Sequence, residues 1–148
     1  DETCLDAEGR QMPGWVWIET DHPGGQLLDV IVRHDCTRAT DLEEGRFWHL
    51  NERRMLLGVL SGGRSETIDV AMEWVQKRPV DDVMDSVSCD SPAIASVELG
   101  PITSGPSRVD TTVTVTTNPE FRGPFYAELV VHARGGEAKM ILVGKVVD

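Results

Sequence analysis

The sequence predicts a mainly β protein: a two-sheet antiparallel β-sandwich of immunoglobulin-like architecture. At most one or two short helices are expected, over 37–45 and, as one of two readings, over 65–78. Three observations predict this. Eight or nine candidate strands follow one another at a spacing of roughly 10 residues, with Gly- or Pro-containing turns between them. The segment Arg108–Thr117 reads as a clear strand, with Val109, Val113 and Val115 on one side and Asp110, Thr112, Thr114 and Thr116 on the other. The closing segment Phe125–Val147 splits about Gly135-Gly136 into two alternating runs.

Taken in order, residues 1–13 are polar and aperiodic and read as a tail or loop. Trp15–Thr20 and Gln26–His34 read as strands around the loop Asp21-His22-Pro23-Gly24-Gly25. In the first, Val16 and Ile18 share one face and Trp15 and Trp17 the other; in the second, Leu28, Val30 and Val32 share a face. The helix candidate 37–45 carries Thr40 and Glu43 at capping-box spacing, and Gly45 ends it. Arg46–Leu50 and Arg53–Leu60 are expected to form a hairpin about Asn51-Glu52. Residues 65–78 fit both templates. As a strand, Ile68, Val70, Met72 and Trp74 alternate; as a helix, Ser65 caps it and Pro79 follows it. The surrounding strands favour the strand reading.

Residues 79–92 form an acidic connector with a proline near each end, the best candidate for a boundary within an otherwise single domain of residues 1–148. Ala95–Leu99 is a short strand and Gly100–Ser107 a turn. In the closing hairpin, a two-residue turn at Gly135-Gly136 pairs Arg134 with Glu137. Phe125, Ala127, Leu129, Val131 and Ala133 then face Val146, Gly144, Leu142, Met140 and Ala138, while His132 faces Lys139. One face is apolar and the other largely charged, as in a hairpin with one side on a core.

The charge balance bounds the partners. Fourteen Lys+Arg against 25 Asp+Glu give a net charge of −11, which repels phosphate backbones and anionic lipid. Arg53-Arg54 and Lys77-Arg78 are the only adjacent basic pairs, so nucleic acid is not expected as a partner. No apolar run approaches the roughly 20 residues of a membrane span. The start at Asp1 is read as that of a mature exported protein, extracellular or periplasmic, whose signal peptide has been removed.

Three cysteines, Cys4, Cys36 and Cys89, occur without a CxxC pair. The preferred bridge in an oxidising compartment is Cys4–Cys36, with Cys36–Cys89 second. By loop entropy the first would stabilise the fold by roughly 3–4 kcal/mol. Cys89 is then left as a buried, inert thiol or as a link to another chain.

Chemistry-bearing residues are few. His34 and Cys36 lie two apart, but Cys36 is wanted for the bridge and nothing nearby supplies an oxyanion hole. His22, with Asp21 and His34, has metal-ligating residue types; turn chemistry explains it more simply. His49 and His132 read as surface or cross-strand residues. The acidic residues of 81–90 offer hard oxygens but not the pattern of a calcium loop. No cofactor is implied: the Gly pairs lack the spacing of phosphate-binding loops. Trp15 and Trp17 give the most usable hint. Projecting from one strand face, about 7 Å apart at about 3.4 Å per residue, they would form a flat platform for a sugar or a partner protein. If that face is instead the core, Val16 and Ile18 turn outward. Trp48 and Trp74 read as core.

The function expected is therefore that of an exported, non-enzymatic domain that binds another macromolecule, protein or glycan, with Trp15, Trp17 and His22 as the candidate binding residues. A sugar-binding module, a small hydrophobe or lipid carrier with splayed sheets, and a hydrolase using His34 as base are the rivals.

Overall fold

The computed structural model describes residues 15–21, 27–31, 48–74, 84–133 and 136–148, with the main chain alone for Trp15, Trp17, Asp29, Ile31 and Trp74. All regular structure among these residues is strand. The chain forms two compact units, Asp1–Glu43 and Glu44–Asp148.

The first unit contains an antiparallel ribbon of β1 (Trp15–Glu19) and β2 (Leu27–Ile31). The helix candidate 37–45, and with it Cys4, His22, His34 and Cys36, lies outside the described residues.

The second unit is an immunoglobulin-like β-sandwich. Its strands are β3 (Trp48–Leu50), β4 (Arg54–Ser61), β5 (Ser65–Trp74), β6 (Met84–Cys89), β7 (Ile94–Leu99), β8 (Thr103–Ser104), β9 (Arg108–Thr117), β10 (Gly123–Ala133) and β11 (Gly136–Val147). One sheet runs β4-β11-β10-β6 and the other β3-β5-β9-β7, with β8 beside β9. Pairing is antiparallel except between β4 and β11, which run parallel. The ambiguous segment is strand through Trp74, because Ile68, Val70 and Met72 pair with β9 and turn inward. One continuous core joins the two sheets. Trp48, Met72, Leu129, Met140 and Leu142 fill it and are each less than 2% exposed. The interior of this unit is thus occupied by its own side chains, unlike the splayed interior of a carrier.

Three expectations are corrected. Residues 48–50 and 54–61 do not form a hairpin; they belong to opposite sheets. Asn51 ends the first pairing: its N–H donates to Ala71 O and its side-chain Oδ1 accepts from Ala71 N–H, both at 2.9 Å. Two residues later Arg53 O accepts from Ile141 N–H at 2.8 Å, and the chain has joined the other sheet. The Ser61–Arg64 turn is likewise a crossing between sheets. Thr117, fully buried, ties it down: its hydroxyl reaches Ser61 O at 2.9 Å and accepts from Arg64 N–H at 3.1 Å.

The acidic stretch contains a strand. Met84, Val87 and Cys89 of β6 turn to the core while Ser86 and Ser88 face out, so an edge strand hides in a polar sequence.

The closing hairpin has the expected faces but a register displaced by two residues. Ala133 pairs with Gly136, where Arg134 with Glu137 was expected, and Phe125 faces Gly144 rather than Val146. The cause is steric. A Cβ at Gly144 would stand 2.7 Å from Phe125 Cζ and 3.2 Å from Gly58 O, so the phenyl ring lies where Gly144 has no side chain. Gly58 forms the bulge that lets β4 follow β11 past this point, at a φ of 74° that favours glycine.

Candidate functional site

Across the β1–β2 ribbon Val16 pairs with Val30 and Ile18 with Leu28, so these four share one face. They are 39%, 41%, 47% and 46% exposed, respectively. Val16 and Ile18 thus turn outward, one of the two arrangements expected for this strand, and the aliphatic face of the ribbon is exposed. β-branched residues suit a strand, but a two-stranded ribbon gains little unless a face is covered. Single exposed apolar residues are ordinary; here four lie together on one face of the ribbon. Glu19 and Asp21, both exposed, give its rim acidic character. Trp15 and Trp17 pair in the main chain with Ile31 and Asp29.

The outer face of the β4-β11-β10-β6 sheet is mixed. Leu56 (39% exposed) and Tyr126 (50%) flank Val143, which is fully buried between them in the pairing order. Burial, and secondarily the charge of Glu128, raises the Tyr126 pKa above the ordinary phenol range. Lys139 Nζ meets Glu128 Oε1 at 2.7 Å. Beyond this pair, His132 bridges three strands: Nδ1 is 2.9 Å from Glu137 Oε1 on β11, and Nε2 is 2.8 Å from Ser88 Oγ on β6. Sequence reading missed this group because it read Ser88 as connector and set His132 opposite Lys139. The alternation of Ser86, Val87 and Ser88 was the only signal available in the sequence.

The outer face of the other sheet is polar. Ser65 bonds Thr116 at 2.8 Å and Thr67 bonds Thr114 at 3.2 Å. Arg108 spans Glu73 at 3.0 Å and Asp110 at 2.6 Å, with His49 3.7 Å from Glu73. Cross-strand hydroxyl and ion pairs of this kind stabilise the sheet by fractions of a kcal/mol each.

Cys89 is a free thiol, whereas Cys4 and Cys36 lie outside the described residues. Cys89 packs against the core, and burial first, then Asp90 and Glu128, pushes its pKa up. Only the thiolate reacts, so alkylation of Cys89 at about pH 8 is expected to run several-fold slower than that of an exposed cysteine in a short peptide, and to accelerate as pH rises. Peptide mapping after timed iodoacetamide treatment checks this; a rate equal to the peptide's would contradict it.

Among the described residues no group of three or more His, Cys, Asp or Glu could hold a metal ion, and no helix is long and apolar enough to cross a membrane.

No protein-family model matches the chain, and no curated protein matches it in sequence. Among solved structures it is similar to the ASH / PapD-like domain of human CEP192 (PapD-like domain 7) at 14% identity, over 79% of this chain and 96% of that one, with a TM-score of 0.48. It is also similar to the Vibrio cholerae VesB protease at 11% identity and a TM-score of 0.41, over 96% of this chain and 43% of that one. At such identities no residue role carries over from either protein.

Proposed function

We propose that the protein works by binding another protein, and that the aliphatic face of the β1–β2 ribbon is where it does so. The observation that carries this is the joint exposure of Val16, Ile18, Leu28 and Val30. Each is already partly covered, so completing their burial would contribute about 2–5 kcal/mol in all, from about 1.5–3 kcal/mol per fully buried aliphatic side chain. That alone corresponds to roughly millimolar binding, so contacts at the rim must supply the rest. An aliphatic surface suits the apolar surface of a protein; sugars stack on aromatic rings, and the glycan alternative therefore depends on Trp15 and Trp17. Binding rather than turnover is the mode this face supports: it offers shape and apolar area but no nucleophile or base.

A photo-crosslinking residue placed at position 18 or 28 of the full chain, with position 114 on the outer face of β9 as control, tests the reading in cells that express the protein. Crosslinking at 18 and 28 is expected to exceed that at 114 by about tenfold, a gap of about 1.4 kcal/mol in occupancy. Lysine at the other of the two positions should abolish it. Equal yields at all three positions would reject the ribbon as the binding face. A glycan as the captured species would move the site to the tryptophans.

A further inference from the structure

The bridge of His132 between Ser88 and Glu137 has a chemical reading independent of the ribbon. A carboxylate can only accept, so the 2.9 Å contact places the ring hydrogen of neutral His132 on Nδ1. Nε2 is then an acceptor, and Ser88 Oγ–H donates to it across 2.8 Å. Nucleophile, base and positioning carboxylate thus stand in the order used for acyl transfer by hydroxyl groups. The arrangement lies in the open. Ser88 is exposed on β6, an outermost strand of its sheet among the described residues, and the His132 and Glu137 side chains are 32% and 60% exposed.

From this geometry we infer that Ser88 is a self-acylating modification site, taking one acyl group from an activated ester. In the step, Oγ forms a bond to the carbonyl carbon as its proton passes to Nε2. The bond from that carbon to the leaving oxygen then breaks, and Nε2 returns the proton to the departing alkoxide or phenoxide. The products are an ester on Ser88, a free alcohol or phenol and neutral His132. Glu137 touches neither substrate nor reacting atoms; it is a positioning residue that holds the ring in the required tautomer. General-base assistance is worth about 10²–10⁴ in rate, and an exposed base and carboxylate place this site near the lower end.

The test uses the full chain and p-nitrophenyl acetate, with peptide mapping of acetylated serines over time. Ser96, exposed on β7 at the edge of the opposite sheet, is the internal reference. Ser88 is expected to acetylate about 100-fold faster than Ser96. His132→Gln should bring Ser88 down to the Ser96 rate. Glu137→Gln should slow Ser88 by about tenfold, a modest part of the same advantage, while Glu137→Asp retains more of it and both variants melt as the parent does. Equal rates at Ser88 and Ser96 in the parent would overturn the inference. So would an unchanged Ser88 rate in a folded His132→Gln chain. Either result would make the three residues a cross-strand polar ladder and nothing more.

Discussion

Trp48→Ala is expected to cost about 3–5 kcal/mol, the range for deleting a large buried aromatic side chain. Trp48 is fully buried, although β3 is only three residues long, and it belongs to the core that joins the two sheets. Removing the indole deletes apolar area and leaves a cavity in a core whose other large side chains are held on long paired strands and are not free to fill it. Against a typical total of about 5–15 kcal/mol, such a loss brings the sandwich close to unfolding. Urea denaturation of the full chain, followed by far-ultraviolet circular dichroism, measures it. A midpoint within error of the parent's would mean that the indole does not hold the sheets together.

Gly144→Ala is the second large effect, expected at about 1–3 kcal/mol through overpacking. The added methyl would meet the Phe125 ring and approach the Gly58 carbonyl. A second substitution identifies the cause. In a Phe125→Leu background the same Gly144→Ala change should cost markedly less, with a coupling of about 0.5–3 kcal/mol. Were the hairpin in the register its turn sequence suggests, Gly144 would face Ala127 and the methyl would be tolerated. A double-mutant cycle in urea distinguishes the two registers, and additive effects would contradict the observed one.

That contrast shows how far the sequence can be read. The faces of β10 and β11 are legible because strand alternation has a period of two, and a displacement by two residues leaves every side chain on its face. Register is less legible. Two glycines in a row offered two positions for the turn, and the choice was made ten residues away, where Phe125 needs the space over Gly144. Pairings that depend on register were lost with it: His132 meets Glu137 only in the observed alignment. β6 was hidden because Ser86, Ser88 and Asp85 look like a loop to any reading that cannot see β10 beside them. The separation of β3 from β4 was hidden because Asn51 and Glu52 resemble a turn, whereas Asn51 in fact closes one pairing against Ala71. On the ribbon, alternation showed which residues share a face but not which face is covered. Trp15 and Val16 are both apolar, so alternation alone does not rank them; the usual burial of tryptophan favours Val16 outward, as it is found.

The parallel run of β4 beside β11 also has a mechanical side. Seven residue pairs, from Arg54 with Ile141 to Ser61 with Val147, lie between two strands that point the same way. A pull on the leading end of β4 and the trailing end of β11 slides one strand along the other. The rungs between them are then loaded together in shear, instead of being peeled apart one after another. A domain strung between two anchors by those ends would resist tension better than its modest size suggests.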